Sequence, residues 1–351
     1  MEGSFWIFSV ILLTLPVRSS SFSSFLQGCD PYNGILRGPT ARHTSLRGEQ
    51  ETISLKADDI QFQLHSSMSE IPSDKWDSCL ENDESASPFM QHSWIRCLEE
   101  SKCVSKETGW MPQHISILIH GKPWCGFVPM YVKSHSMGEF IFDSSWADAA
   151  IANGIDYYPK LLVAVPFTPV SGTKILLNPK FRDKLSRGSM SMLRKTVATF
   201  LKQIARTNNL SSVHLNFLME EEASDVAGDV QREKPNDSSN IQQTFKSIMK
   251  KFQGDQDDGY IRRTSLQYHW SNSNPSNNGK PYTDFEDFLS CFKSKRRIAI
   301  RRERAKVQVD DEIRIDVVVG RDILKYDGLV DRMFQIYLST VNKIFWGRQY
   351  L

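Results

Sequence analysis

The chain has 351 residues, enough for two domains of ordinary size, and its 40% apolar and 24% charged content is that of a soluble globular protein. Its 43 basic and 41 acidic side chains nearly cancel to a net charge of +2, so no partner class follows from overall charge. Six cysteines, at 29, 79, 97, 103, 125 and 291, form no CxxC pair and no zinc-ligand spacing, which argues against a metal site and reads as free thiols in a reducing compartment.

Residues 5–15, FWIFSVILLTL, are apolar but too short to cross a bilayer as a helix. The Ser-rich stretch that follows, with Arg18, Arg37, Arg42 and Arg47 against the single Asp30, suits an organelle transit peptide. Residues 1–58 are read as a targeting segment for a plastid, with the mitochondrion or the secretory pathway as alternatives. No other stretch is apolar and long enough for a membrane span.

The pattern turns globular near residue 60. Phe89, Trp94, Ile95 and Leu98 mark a helix over 89–100, and Ile115, Ile117 and Ile119 alternate along a strand over 113–120. A turn at Gly121-Lys122-Pro123 returns the chain as a second strand over 125–132. Leu193, Val197, Phe200, Leu201 and Ile204 place an amphipathic helix over 190–205, with a strand over 212–218 after it. Acidic and polar residues over 222–258 read as an insertion containing one helix near 241–252. Strands over 260–270 and 313–317, a short helix around Phe285, Phe288, Leu289 and Phe292, and a last helix from Leu329 complete the order. Strands first and strand–helix alternation later predict an α/β fold with a mixed sheet and helices on both sides.

Residues 139–172 stand apart. They hold Trp146, Tyr157, Tyr158 and Phe167, the carboxylates Asp143, Asp148 and Asp156, Lys160, and three prolines. A plain buried strand would keep the run LLVAV and omit the rest, so the stretch is read as one wall of a cleft. Asp143 and Asp148 are candidate bases, and Tyr157 and Tyr158 candidate acids. His269, at the end of QYHW beside Trp270, is a further candidate.

The run KSKRRIAIRRERAK, 293–306, sets eight basic residues against one acid. It suits an anion: the phosphates of a nucleotide cofactor, or RNA. There is no GxSxG elbow, GxxxxGK[ST] loop, GxGxxG turn or HExxH, so serine hydrolases, P-loop enzymes, dinucleotide oxidoreductases and zinc proteases are all disfavoured.

The strings SPFMQHSWIRCLEES, ETGWMPQHI, PMYVKSHSMGEFIFDSSWADA, YYPKLLVAVPFTPVSG, QYHW, SKRRIAIRRER and WGRQYL occur in an order that resembles the Fem-like predicted N-acyltransferases. These are relatives of the peptidoglycan-bridge aminoacyltransferases. The resemblance implies tandem GNAT-like acyl-CoA N-acyltransferase domains: the first over 59–270, the second from 271 to 351 and incomplete, as in a truncated product. It also implies transfer of an acyl or aminoacyl group to a small-molecule or peptide amine. Acyl-CoA as co-substrate and charged tRNA both remain open as donors, because the usual [QR]xxGx[GA] loop is missing and Val170-Ser171-Gly172 is its nearest substitute. The implied cleft takes in Trp146, Asp148, Tyr157, Tyr158, Lys160, Phe167, Thr168, Ser171 and Gly172, with His269, Trp270, Lys295, Arg296, Arg297 and Arg301 as further contacts. The competing expectation is a degenerate, non-catalytic transferase fold that holds RNA or another polyanion through the basic helix.

Overall fold

The computed structural model describes residues 53–141, 143–154, 156–227, 260–264, 270–308 and 316–343. Residues 1–52 of the predicted targeting segment, the helix near 241–252, His269, and parts of the strands at 260–270 and 313–317 lie outside them. The chain divides into two units, residues 1–266 with 326–351, and residues 267–325.

The first unit carries two four-stranded sheets, ordered β1-β3-β4-β7 and β2-β5-β6-β8, so the fold is mixed α/β. The strands are β1 (Ile60–His65), β2 (Trp110–Pro112), β3 (His114–Ile119), β4 (Lys122–Val128), β5 (Met130–Lys133), β6 (Lys160–Val163), β7 (Leu176–Leu177) and β8 (Val213–Leu215). Its helices include α1 (Ser73–Ser78), α2 (His92–Glu100), α3 (Ser144–Ala152), α4 (Arg187–Thr207) and α5 (Glu220–Ala227), with a short one at Pro179–Arg182 and the predicted last helix at Leu329–Val341.

The predicted hairpin is present as β3–β4, but its turn falls at His120-Gly121, whose φ angles of 49° and 72° are those of a tight two-residue hairpin turn. The chain then leaves the first sheet at Pro129, which has no N–H for a ladder, and enters the second as β5. The alternation Ile115, Ile117, Ile119 separates two interiors, because His114 and Ser116 on the opposite face are buried as well. At Gly126 a Cβ would lie 2.3 Å from the Leu176 carbonyl, so only glycine lets β7 pair here.

α4 is longer than its apolar stripe alone required. The Ser186 hydroxyl accepts the Ser189 N–H at 3.0 Å and starts the helix, and Leu193, Val197, Leu201 and Ala205 then run down its buried face. They pack on Leu161, Val163, Met130 and Leu215 from the second sheet and on Ile115, Ile117 and Ile119 from the first. Each fully buried side chain of this size contributes about 1.5–3 kcal/mol. α4 also provides the crossover from β6 to the parallel strand β8.

The segment expected to be a continuous wall is different. Residues 144–152 form α3, whose Ala-rich sequence is a strong helix former, and the strand is confined to Lys160–Val163. One expectation on the cysteines is corrected: Cys79, Cys103, Cys125 and Cys291 are free, whereas Cys97 is disulfide-bonded.

In the second unit, Asp284 caps α6 (Phe285–Ser290) by accepting the Asp287 N–H at 2.8 Å, and α7 (Ser294–Gln308) follows with no buried residue. No helix among the described residues is long and apolar enough to cross a membrane.

Candidate functional site

The two faces of the second sheet differ in chemistry. Register pairs Trp110 with Lys133, Tyr131 with Leu162, Lys133 with Lys160, and Leu162 with His214. Since side chains alternate, Trp110, Tyr131, Lys133, Lys160, Leu162 and His214 share one face, and the other carries the apolar residues packed on α4. Asn216 continues the alternation beyond β8, its N–H bonded to the Val163 carbonyl at 2.9 Å. The polar face is buried nonetheless: Lys133 and Lys160 have no exposed surface, and neither has Asn216.

The segment 134–143 and the pair Tyr157-Tyr158 cover that face. Asp143 sits at the N-cap of α3, yet its carboxylate makes no capping bond to the helix. It is used elsewhere: Oδ1 accepts the Ser136 hydroxyl at 2.7 Å, and Oδ2 accepts the Tyr157 hydroxyl and the Lys160 ammonium, the latter at 3.3 Å. The Tyr158 hydroxyl in turn donates to Ser136 Oγ. A side chain that forgoes a cap worth about 1 kcal/mol is being held for another purpose.

Glu139 lies deeper. Lys160 Nζ approaches its Oε2 to 3.0 Å as an ionic contact without hydrogen-bond alignment, so neither oxygen has a hydrogen-bond partner. Lys133 Nζ is 3.9 Å above the Trp110 ring and donates to the Met137 carbonyl at 2.8 Å. Gly138 and Phe140, on either side of Glu139, both adopt left-handed backbone, with φ of 89° and 56°. A Cβ on Gly138 would come within 2.7 Å of the Trp110 ring and 2.8 Å of Phe167. The Gly138 carbonyl also accepts the Phe167 N–H at 3.0 Å, which fixes the second predicted aromatic against the same segment.

Burial dominates the electrostatics. It raises the Glu139 carboxyl above its ordinary range, a shift that Lys160 and Lys133 only partly oppose. It lowers Lys133 well below the usual lysine value, and with Lys133 nearby it pushes His135 down to about 4. His214 is lowered by burial and then by Lys160. Both phenols are raised, by burial first and Asp143 second, so Tyr157 and Tyr158 are protonated donors at neutral pH. The arrangement offers donors, a filled carboxylate at Asp143 and an unfilled one at Glu139.

Of the residues singled out in the sequence, the structure gathers Asp143, Tyr157, Tyr158, Lys160 and Phe167. Asp148 is exposed on α3: five positions along a helix from Asp143 is a large rotation, and the two carboxylates cannot share a face. Trp146 is half-buried with the Arg263 guanidinium 4.9 Å from its ring. Thr168 bonds back to the Pro166 carbonyl at 2.9 Å. Ser171 and Gly172 sit instead beside Ser85 and Phe217, where the Gly172 N–H is bonded to the Phe217 carbonyl at 3.1 Å. In the second unit, Trp270 is exposed, Arg297 donates to the Phe292 carbonyl at 2.7 Å, and Arg301 pairs with Glu286. Lys295 and Arg296 are exposed on α7.

Two cavities, about 160 Å³ beside Asp83, Arg182 and Arg194 and about 680 Å³ beside Phe62, Met192 and Phe200, touch no residue of 139–172. The stretch covers a buried polar face of the second sheet. Sequence reasoning passed over Lys133, Ser136, Glu139, His214 and Asn216. One signal was present: Lys133 ends the otherwise apolar run MYV, and a charge there is out of pattern. No group of residues that could hold a metal ion occurs among the described residues.

A family model described as peptidoglycan biosynthesis/recognition matches residues 67–237 and again residues 226–351. No curated protein and no solved structure matches the chain.

Proposed function

The chain belongs to the FemAB-like family, and from that premise we propose that it transfers an acyl or aminoacyl group to an amine on a small molecule or peptide. Membership supports transferase chemistry. The observation that carries the reading is the convergence of Tyr157, Ser136 and Lys160 on one buried carboxylate, Asp143, with Tyr158 reaching it through Ser136. Amide formation needs a proton taken from the amine, a polarised carbonyl and a proton supplied to the leaving group. The protonated phenols and the lysine supply donors for the last two.

The parallel pair β6–β8, joined through α4, supports a GNAT-like arrangement of the first domain, with a second such domain begun after it. Charged tRNA is the favoured donor. The Val170-Ser171-Gly172 loop has already committed the Gly172 N–H to Phe217 and does not offer that amide to a CoA pyrophosphate. The same proposal places the protein in a plastid, on the strength of the Ser- and Arg-rich start of the sequence.

The test is to incubate the purified chain with a lysine-containing peptide and either labelled aminoacyl-tRNA or acyl-CoA, and to look for a new amide by mass spectrometry. Transfer is expected, reduced about 100-fold or more in Tyr157→Phe. No product from either donor would sink the reading.

A second reading has its own observation. Lys295, Arg302 and Lys306 make no ion pair among the described residues, and their spacing puts them on the side of α7 opposite Arg297, Arg301 and Arg304, which contact α6 and the chain just after it. A stripe of this kind suits a phosphate backbone, as a binding protein without catalysis would require. RNA binding that weakens steeply with salt, in the absence of any transfer, would favour it.

A further inference from the structure

Six polar side-chain atoms on or against one face of the second sheet are buried without a hydrogen-bond partner: Trp110 Nε1, Tyr131 Oη, both Glu139 oxygens, and Asn216 Oδ1 and Nδ2. Buried polar groups are nearly always satisfied, so several orphans on one face mark a place where a ligand completes the bonding. Glu139 is the only carboxylate among them, and it is held between two residues in left-handed backbone, Gly138, which adopts it freely, and Phe140, which does so under strain.

Building on the transfer reading above, we propose that the acceptor's primary amine docks at Glu139 and gives its proton to that carboxylate, while Asp143 acts only as a positioning residue. Asp143 is the less suited base, because both of its oxygens already accept from Ser136, Tyr157 and Lys160. Glu139 has the ionic contact with Lys160 at 3.0 Å and an open Oε1. Its burial raises its proton affinity, as a base working near neutral pH requires. The charged groups that act on it are Lys160 on β6, Lys133 on β5 and Asp143 ahead of α3. In the step itself, the amine nitrogen forms its bond to the acyl carbon as that carbon's bond to the donor oxygen or sulfur breaks. One N–H proton passes to Glu139, a proton equivalent leaves on the departing oxygen or sulfur, and the carboxylate returns ionised.

Two measurements on the full chain test this. In ¹³C NMR of glutamate-labelled protein, the carboxyl resonance absent from Glu139→Gln should titrate above the ordinary glutamate range. It should also move when Nα-acetyl-lysine amide is added. In the transfer assay, Glu139→Gln should lower kcat/KM about 100-fold or more and abolish its fall at acid pH, with partial recovery in Glu139→Asp. Near-UV circular dichroism of each variant establishes that it is folded. A Glu139 resonance indifferent to the amine overturns the proposal. So does a folded Glu139→Gln that keeps the wild-type rate and acid limb, and the transfer reading then survives alone. If the resonance responds but the wild type transfers from neither donor, the amine site stands and the transfer reading falls.

Discussion

Two carboxylates of the first unit, one half-buried and one buried, serve opposite ends. Glu99, on α2, is filled: Oε1 accepts from His114 Nε2 at 2.8 Å, and Oε2 accepts the Met68 N–H at 2.8 Å and the Ser67 hydroxyl at 2.9 Å. The other nitrogen of His114, Nδ1, accepts the Met130 N–H at 3.3 Å, so both ring nitrogens are in use. Glu139 has one ionic contact, no aligned donor, and orphan polar atoms for company. A network with every lone pair answered locks α2 onto β3 and has nothing left to offer a ligand. One left open carries a free-energy cost that the fold sustains and a ligand can relieve.

The largest effect should come from breaking the filled network. Glu99→Ala leaves His114 and the Met68 N–H buried without their acceptor, and should destabilise the first unit by about 3–5 kcal/mol in urea denaturation. A loss below about 1 kcal/mol would mean that water answers those donors and that the contrast with Glu139 is false. Next is Gly138→Ala, which adds a Cβ against Trp110 and Phe167 at a φ of 89°. It should cost about 2–3 kcal/mol and alter the near-UV signal of Trp110, because neither ring has room to yield. An unchanged urea midpoint would show that the 134–143 cover is loosely held.

Lys133→Met should have the opposite sign. Lys133 pays for burial with a ring, one carbonyl and the attraction of Glu139 as incomplete compensation, so its replacement by an apolar side chain of similar length should stabilise the fold by about 1–2 kcal/mol at neutral pH. The sign with pH follows from its lowered pKa. Between the folded value and the ordinary lysine value of about 10.4, the unfolded chain binds more protons, so wild-type stability rises with pH in that window. The advantage of the variant should therefore shrink as pH approaches 10 or so, and a pH-independent advantage would assign it to packing alone.

Much of this contrast was legible in the sequence, though unevenly. Leu193, Val197 and Leu201 announced α4 by spacing, and Ile115, Ile117 and Ile119 announced β3, because periodicity is written directly into the chain. Asp143, Tyr157, Tyr158 and Lys160 stood out as a concentration of chemistry, and the structure brings all four together. Glu139 and Lys133 did not, since a buried charge is spelled with the same letters as a solvated one; the register of β5 on β6 sets Lys133 opposite Lys160, and Glu139 reaches Lys160 only from the segment that covers them. Asp148 lies apart from Asp143 for a related reason. Residues 144–152 form a helix, and its separation from Asp143 along that helix turns it out to solvent. The exposed basic helix was visible as a run, but which of its cations remain unpaired depended on where Glu286 and Phe285 fall.

The smallest effect is the sharpest test of the comparison. Tyr131 is fully buried and its hydroxyl has no partner, while its ring packs edge-on to Trp110 at 5.3 Å and to His114 at 5.1 Å. Tyr131→Phe keeps both ring contacts and removes only a hydroxyl whose desolvation nothing offsets. The variant should be neutral or up to about 1 kcal/mol more stable, where deletion of a satisfied buried hydroxyl would cost about 1 kcal/mol. A measured loss of that size would mean that the hydroxyl is bonded in solution to an ordered water, and the orphan atoms on this face would then describe a hydrated cavity. A neutral or stabilising result, joined to weaker binding of the amine, would show that the hydroxyl is kept for a ligand rather than for the fold.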